Sequence, residues 1–352
     1  MPFRAISLFS GCGGDTLGLE RAGGAVVAFS EFNRAATQTH LRNFPQSVHL
    51  TDGGSSDITK LPDTVFAQYK GGVDVIFAGF PCQGVSKAGK KKATDPRNQM
   101  FRHFVRATKL IEPEYIIGEN VPGLLSMKSG LADTDPLLFD VIRDEFGKIG
   151  YELTYKVLEA TEVGVPQKRK RLFIVGWKRG DDMDASSLWA SVASWGSSRV
   201  MPKLSSFIQP SLDTAHLLTE DTVPDGFDSY ALNIESGAAV LTGTPHPFVV
   251  LKAGEKLLSC SKRVSPIHSE VISLEHPSKT IICTYDHQPR LLVGLKMDTG
   301  RYVRTLFPDE MKQIQGFPAD FILCGNKKEQ VVQVGNAVPP ALVEAVARAL
   351  FI

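Results

Sequence analysis

Apolar residues in the first half of the chain follow two spacings, one typical of buried strands and the other of amphipathic helices. Near-continuous apolar runs predict strands that are covered on both faces, and apolar residues three and four positions apart predict helices. The predicted strands are residues 4–9, 26–29, 73–78, 115–117, 151–157 and 172–175. Helices are predicted between them, among others over residues 101–108 and 138–149. This alternation indicates a doubly wound α/β domain over residues 1–178.

The pattern changes after residue 178. Ser, Pro, Gly and Asp become frequent, and neither spacing is sustained between residues 181 and 273. Such a stretch is either a poorly patterned insertion or a recognition surface carried on loops. Order returns near the end, where Pro339 and Pro340 predict the start of a helix that runs through Leu350. We therefore predict a smaller, loop-rich domain at residues 179–329 and a return of residues 330–352 to the first domain.

Composition narrows the function classes. Of the 352 residues, 43% are hydrophobic and 22% are charged, which indicates a globular chain and excludes collagen, coiled coil and disorder. The net charge is +1, so any surface that binds nucleic acid must be local. No run approaches the ~20 apolar residues of a membrane span, and no signal peptide is evident, so we expect a cytoplasmic protein without membrane contact. The five cysteines are widely spaced, which favours neither a disulfide framework nor a zinc site.

A glycine-rich turn follows the first predicted strand. Gly11, Gly13 and Gly14 lie where the backbone must approach a ligand closely at the start of a helix, and Glu31 ends the next strand. A carboxylate there can accept both hydroxyls of a ribose, which favours an adenosine-containing cofactor. The third glycine of a dinucleotide motif would fall at Thr16, so that motif is incomplete, and a plain strand-to-helix turn remains an alternative.

A cysteine follows the strand at residues 73–78. Cys82 lies between Pro81 and Gly84, which indicates a shaped loop at a strand end, where a nucleophile is expected; a buried structural thiol is the alternative. Glu119 ends the neighbouring strand and predicts a general acid at the same sheet edge. The segment after Cys82 is rich in lysine, and it is either a solvated face or a lid that meets phosphates.

Two arginines precede the last strand of the first domain. Arg169 and Arg171 share one face of an extended segment, and this pair could point into a site that stabilises negative charge. The alternative is an edge strand that is guarded by cations.

Taken together, these segments resemble those of the DNA (cytosine-5)-methyltransferase family, in the same order along nearly the whole chain. The matching segments are residues 7–20, 79–86, 119–121, 167–171, 315–318 and 333–340. Residues 276–281 also resemble the segment that follows the family's variable target-recognition region, which places that region at about 181–273. The resemblance implies a Rossmann-like methyltransferase domain and a smaller, loop- and strand-rich recognition domain.

The resemblance also implies the cofactor S-adenosylmethionine, with S-adenosylhomocysteine as its product, and no metal. The residues expected to bind the cofactor match the family's positions around the glycine turn, the ribose, the adenine and the C-terminal segment. They are Phe9, Gly11, Gly13, Gly14, Glu31, Asp57, Ile58, Pro81, Asn336 and Ala337.

For catalysis, the resemblance implies that the Cys82 thiolate adds to C6 of cytosine, because C5 alone is too weakly nucleophilic to take a methyl group. Glu119 would interact at N3 and the exocyclic amine. Arg169 would support the cytosine O2, and Arg171 the arrangement around Glu119.

The expected substrate is a cytosine flipped out of double-stranded DNA. Residues expected to contact the DNA surround the nucleophile or begin the arginine segment, and they are Gln83, Ser86, Lys87, Lys90, Lys91, Arg97 and Gln167. The resemblance implies a monomer that acts on bacterial DNA at the nucleoid, beside a separate restriction endonuclease.

Four other functions are weighed against this one. Methylation of RNA keeps the chemistry, but the long variable region favours DNA. A nicotinamide oxidoreductase would not need Cys82, and a silent DNA-binding module would not need the full catalytic set. An amino-group methyltransferase is disfavoured because the chain has no Asp-Pro-Pro-Tyr-like sequence.

Overall fold

The computed structural model describes residues 1–81, 99–129, 135–224, 226–234, 248–250, 258–260, 270–286 and 289–352. Within these ranges, the strands of the first half are β1 (Arg4–Leu8), β2 (Ala25–Ser30), β3 (Val48–His49), β4 (Val75–Ala78), β5 (Tyr115–Asn120), β6 (Tyr151–Glu159), β7 (Gln167–Lys168) and β8 (Lys170–Lys178). All except β7 form one sheet in the order β3-β2-β1-β4-β5-β8-β6. Strand β8 is antiparallel to both of its neighbours, and the other strands run parallel to one another.

Helices cover both faces of this sheet, as the predicted α/β class requires. The helices are α1 (Gly14–Arg21), α2 (Arg34–Asn43), α3 (Thr64–Ala67), α4 (Phe101–Ile111), α5 (Leu138–Lys148), α6 (Ala185–Ser197), α7 (Pro308–Ile314), α8 (Lys327–Asn336) and α9 (Pro340–Phe351). Short 3-10 helices lie at Pro122–Ser126, Ala160–Val163, Leu204–Phe207, Glu220–Thr222 and Phe227–Ser229. None of the helices in the described part of the chain is long and apolar enough to cross a membrane.

The two faces have separate cores. Helices α3, α4 and α5 pack on one face, where Phe66, Phe104 and Ile142 are buried. Helices α1, α6 and α9 pack on the other face, where Leu342 and Val346 of α9 are buried. The apolar spacing of α4, α5 and α9 is that of an amphipathic helix, and each buries its apolar stripe against the sheet.

Helix α6 lies in the stretch where no sustained pattern was expected. The Asp184 carboxylate caps it by accepting hydrogen bonds from the backbone N–H groups of Ser186 and Ser187. Leu188 of this helix is buried in the same core as residues of α1 and α9, so the helix packs on the large domain. The large domain therefore extends past residue 178, because α6 has a narrow apolar stripe set among Ser and Ala residues that weaken the periodic signal.

The smaller domain is built around short strands. They are β9 (His216–Leu217), β10 (Leu232–Asn233), β11 (Phe248–Val250), β12 (Leu258–Cys260), β13 (Glu270–Val271), β14 (Ser278–Lys279), β15 (Leu291–Met297) and β16 (Gly300–Thr305). Strands β10, β15, β16 and β9 form a sheet, and β13 also pairs with β15. An ion pair between Arg304 and Glu310, both fully buried, joins this sheet to α7 at 2.6 Å.

Helices α8 and α9 pack into different cores. In α8, Val331 and Val334 pack into the core of the smaller domain, whereas Val343 in α9 packs into the large domain. The expected boundary at residue 330 therefore falls inside a helix. Phe317, Phe321 and Ala337 also pack with Cys12 and Phe44 of the large domain, so the segment around α8 contacts both domains.

Candidate active site

The sheet changes direction of winding at β1 and β4. From β1 the chain adds β2 and β3 on one side, then crosses to β4 and β5 on the other side. Ligands of open α/β sheets bind at such a switch point, outside the carboxyl ends of the strands. The loops after β1, β2, β4 and β5 carry the predicted cofactor and catalytic segments, and the structure brings the described parts of these loops to one edge.

The glycine turn after β1 has a backbone that requires its glycines. Gly11 and Gly13 have φ values of 55° and 91°, in the region that side chains disfavour. A Cβ on Gly14 would lie 2.4 Å from the carbonyl oxygen of Val338, so this glycine lets the C-terminal segment pack on the turn. At Gly11, no described atom lies within 4 Å of where a Cβ would be. The C-terminal segment therefore packs on the turn at Gly14, whereas the space beside Gly11 is open.

Glu31 is tied to that turn from the end of β2. Its Oε2 accepts a hydrogen bond from the N–H of Gly11 at 2.9 Å, and its Oε1 accepts one from the N–H of Asn33 at 2.6 Å. Burial raises the pKa of Glu31, and these backbone hydrogen bonds oppose the increase. The carboxylate is thus held at the open part of the turn, where hydroxyl donors of a ligand can reach it.

The residues expected around an adenine lie farther along the same edge. Asp57 is partly exposed and accepts hydrogen bonds from the backbone N–H and hydroxyl of Thr59, which lower its pKa. The side chain of Ile58 is buried, and its carbonyl accepts a hydrogen bond from Arg106 at 2.8 Å. Phe32, which the sequence analysis did not select, leaves 76% of its surface exposed directly beside Glu31. A large exposed aromatic next to a binding carboxylate is the signal that could have identified it.

This donor set fits an adenosine cofactor. The open space at Gly11 and the carboxylate of Glu31 suit a ribose, and the exposed aromatic ring of Phe32 suits a flat base. Phe9 comes directly before the turn and has a positive φ of 57°. This backbone conformation is unusual for a residue other than glycine, and it is found often at functional sites. Within the described residues, no group of side chains could hold a metal ion, and the expectation of a metal-free site stays a prediction.

Glu119 and Arg171 form the charged pair of the site. Arg171 donates through Nε to Glu119 Oε1 at 2.9 Å, and each side chain is 13% exposed. Burial raises the pKa of Glu119, while the nearby Arg171 and Arg169 guanidinium groups oppose the increase. A carboxyl group in this setting keeps its proton to a higher pH than an exposed one, and it can then donate a hydrogen bond.

The loop after β4 is held beside this pair. Asn120 Nδ2 donates to the carbonyl of Phe80 at 2.9 Å, and a Cβ on Gly79 would lie 3.6 Å from Glu119 Oε2. Pro81 is the last described residue of this loop. The predicted nucleophile and most predicted DNA contacts lie outside the described residues: Cys82, Gln83, Ser86, Lys87, Lys90, Lys91 and Arg97.

Cys12 is not a competing nucleophile. Its side chain is 1% exposed, and burial, followed by the repulsion from Asp15, raises the pKa of its thiol to about 12. Such a thiol is protonated and shielded at neutral pH.

Arg169 and Gln167 are both fully buried. Arg169 Nη1 donates to the carbonyl of Ile281, and Nη2 donates to the carbonyls of Gly335 and Ala337, each at 2.9 Å. Gln167 Nε2 donates to Gln315 Oε1 at 2.5 Å. Gln167 therefore bonds buried protein groups, and both terminal nitrogens of Arg169 have protein partners. The expected contact of Gln167 with DNA stays a prediction.

The C-terminal segment closes on the glycine turn. Ala337 and Val338 pack against Gly14, and Asn336, the last residue of α8, is exposed. This places the segment beside the turn, as the sequence analysis expects. Gln315, whose Nε2 donates to the carbonyl of Ala337 at 2.6 Å, is a further residue that the sequence analysis did not select.

Comparisons with known proteins agree on one family. Residues 3–351 match the model of the C-5 cytosine-specific DNA methylase family. The chain is 31% identical over 366 residues to the Type II methyltransferase M1.HphI of Haemophilus parahaemolyticus, an alignment that covers 99% of this chain and 87% of the relative. It is 29% identical over 377 residues to M.DdeI of Desulfomicrobium norvegicum, covering 97% and 87%.

Solved structures share the fold. A protein described as a DNA modification methyltransferase encoded within an E. coli prophage has a TM-score of 0.65 at 23% identity, and the match covers 99% of this chain and 98% of that one. The DNMT2 protein of Spodoptera frugiperda, in mutant form, has a TM-score of 0.62 at 17% identity and matches 99% and 100%. With the family model spanning almost every residue, the chain belongs to the C-5 cytosine-specific DNA methylase family.

Proposed function

We propose that this protein methylates C5 of a flipped-out cytosine in a specific duplex DNA sequence, as the modifying partner of a restriction-modification system. The family supplies the reaction class, and the relatives named Type II methyltransferases support the biological setting. The observation that carries the proposal is the Glu119–Arg171 pair at the carboxyl edge of the sheet, beside the loop that leads to Cys82.

In this proposal the edge of the sheet around Gly11 and Glu31 binds S-adenosylmethionine, which supplies an electrophilic methyl group when bound. Glu31 accepts the ribose hydroxyls, and Phe32 and Ile58 contact the adenine. Phe9, Gly13, Gly14, Asp57, Pro81, Asn336 and Ala337 complete the pocket. The carboxylate of Glu31 and the open space at Gly11 support this arrangement.

Cys82 adds to C6 of the cytosine as a thiolate, and Glu119 donates a hydrogen bond at N3. This proton makes the ring accept the thiolate, because negative charge that develops on the ring is then neutralised. The raised pKa of Glu119 supports a protonated carboxyl in that role, and Arg171 holds its other oxygen. The addition at C6 makes C5 nucleophilic enough to take the methyl group. Loss of the C5 proton and departure of Cys82 then complete the turnover.

The partner in this proposal is double-stranded DNA. A base within the duplex must leave the stack before a thiol can reach C6. The lysine-rich segment after Cys82 would meet the phosphates. We propose the smaller domain as the reader of base edges, beginning after α6 and ending at Ala337. This proposal assigns no base contact to Arg169 or to Gln167, because both are buried among protein partners.

A trapping experiment tests the proposal. The protein is incubated with S-adenosylmethionine and duplex DNA in which 5-fluorocytosine replaces cytosine, because fluorine cannot leave as the C5 proton does. A denaturation-resistant adduct that maps to Cys82 is the expected result, and sequencing of the trapped DNA gives the target. Trapping of RNA instead of DNA in a parallel reaction would overturn the choice of substrate, and no adduct with either would overturn the mechanism.

A further inference from the structure

Three parts of the chain that are distant in sequence meet around Arg169. Strand β7 pairs with β14 of the smaller domain in a two-stranded parallel ladder, and Arg169 follows β7 directly. The C-terminal end of α8 packs on the same place. At that contact Gly335 lies so close to Cys283 that a Cβ would be 2.3 Å from the backbone nitrogen. Arg169 is therefore at the junction of the large domain, the smaller domain and the C-terminal segment.

The hydrogen bonds of Arg169 have a specific arrangement. One terminal nitrogen bonds the carbonyls of Gly335 and Ala337, which are the residues immediately before and after Asn336. The other terminal nitrogen bonds the carbonyl of Ile281 in the smaller domain. A guanidinium has a planar fork of donors that can hold several acceptors in fixed positions, which a lysine ammonium cannot reproduce.

Two glutamines extend this contact. Gln167 Oε1 accepts from the N–H of Ile281 at 3.1 Å, and Gln167 also donates to Gln315, which in turn donates to the carbonyl of Ala337. The carbonyl of Ala337 is thus held twice. We call Gln167, Arg169 and Gln315 the junction cluster; all three side chains are fully buried.

The junction cluster bonds the segment that packs on the glycine turn. Ala337 and Val338 pack against Gly14 of the glycine turn, where a Cβ would lie 2.4 Å from the Val338 carbonyl oxygen. Arg169 bonds the carbonyl of the peptide that precedes Asn336 and the carbonyl of Ala337, so it fixes the course of the backbone on both sides of Asn336.

From this geometry we propose that Arg169 is a positioning residue of the cofactor pocket: it holds the backbone around Asn336, whose next residues pack on the glycine turn, and ties that segment to Ile281 of the smaller domain. The inference rests on the proposed function, since it concerns the same pocket. The inference gives the two arginines of the segment different roles. Arg171 holds the carboxyl of Glu119, and Arg169 positions the C-terminal segment beside the cofactor pocket.

The test uses the full chain and measures binding apart from activity. S-adenosylhomocysteine affinity is measured by calorimetry without DNA, and the single-turnover rate of methylation is measured at saturating S-adenosylmethionine. We expect Arg169→Lys to weaken the affinity by about tenfold or more and to change the rate by less than about threefold. Affinity within about twofold of the parent, with or without a loss of rate, would overturn the inference. Arg179→Lys is the control, since Arg179 also bonds a backbone carbonyl but lies at the exposed end of β8.

A second variant keeps the test decisive if Arg169→Lys does not fold. Gln315→Met removes a donor to the Ala337 carbonyl, and it should lower the affinity in the same direction. In addition, Arg169→Lys should weaken binding less in an Asn336→Ala background than in the parent, whereas equal weakening in both would show that Arg169 does not act through Asn336. If the parent itself neither binds S-adenosylhomocysteine nor methylates DNA, the proposed function fails. If the parent does both and the variants keep its affinity, the inference alone fails.

Discussion

Arg171 reaches across from β8 to Glu119 at the end of β5, and its Nε lies 2.9 Å from Glu119 Oε1. Because these strands are antiparallel neighbours, in register from Glu119 opposite Phe173, the sheet itself sets the distance. Arg171 thereby holds Oε1 of the carboxyl, and Oε2 faces Gly79. A carboxyl that is fixed in this way can present a single proton to a base.

This relationship predicts the effect of Glu119→Gln. The amide keeps the size of the side chain but cannot transfer a proton to N3, so kcat should fall by about 10²-fold or more. S-adenosylhomocysteine affinity should stay near that of the parent, because the change lies on the base side of the pocket. Single-turnover methylation and calorimetry measure the two effects. Glu152→Gln, at an exposed glutamate, is the control, and a rate close to the parent's for Glu119→Gln would contradict the proposed role.

The ribose assignment predicts the opposite pattern for Glu31→Gln. Replacing the charged acceptor with an amide weakens hydrogen bonds to ribose hydroxyls, so we expect a loss of about tenfold in S-adenosylhomocysteine affinity. The rate at saturating cofactor should change little. Calorimetry gives the affinity, and unchanged affinity would remove Glu31 from the pocket. Thermal unfolding should accompany the measurement, because Glu31 also accepts from the N–H of Gly11.

The nucleophile assignment predicts that Cys82→Ser abolishes turnover and the 5-fluorocytosine adduct while sparing cofactor binding. A serine hydroxyl is far less acidic than a thiol and does not form the required anion at neutral pH. Cys324→Ser is the matched control. Methylation by Cys82→Ser at close to the parent rate would show that another group attacks the base.

Much of the large domain could be predicted because its strands are continuous apolar runs. The apolar runs at residues 73–78 and 172–175 predict strands, and they correspond to β4 and β8. The antiparallel direction of β8 could not be predicted, since side-chain pattern carries no information on strand direction. Helix α6 was missed because its apolar residues are diluted by serine and alanine.

The candidate site was predictable where one residue type suits one chemistry, as for Glu31 at a strand end. It was less predictable where a charged side chain could either bond another side chain of the site or hold the backbone in place. Arg169 and Arg171 are alternate residues of one extended segment, yet one bonds a carboxylate and the other bonds backbone carbonyls. The partners of Arg169 lie more than 100 residues away in the sequence, and the partner of Arg171 lies in β5, so local spacing could not separate the two arginines.

Exchange of residues 213–273 with the corresponding segment of a relative should change the methylated sequence. This range begins beyond α6 and beyond Gln209 and Ser211, whose carbonyls bond the buried Arg304, so the exchange leaves those packing contacts in place. Sequencing of methylated DNA measures the target. An unaltered target in an active hybrid would place recognition elsewhere in the chain.

Asp15 predicts an unusual dependence of stability on pH. It lies in the first turn of α1, accepts a hydrogen bond from Ser7 and is 2% exposed. Burial is the main cause that raises its pKa from 3.8 to about 7. The folded chain therefore binds more protons at Asp15 than the unfolded chain between these two values, so this residue lowers stability as the pH rises through that window.

Asp15→Asn keeps an acceptor for Ser7 and cannot ionise, so it should stabilise the protein chiefly where Asp15 is charged. We expect Tm to rise by at least about 2 °C at about pH 8 and to change less at about pH 5, in thermal unfolding followed by circular dichroism. Asp140→Asn, at a carboxylate that pairs with Arg143 on the surface, is the control and should show no such gain at the higher pH. A gain for Asp15→Asn that is equal at both pH values would mean that Asp15 is ionised throughout, and that Ser7 and the start of α1 stabilise its charge despite burial.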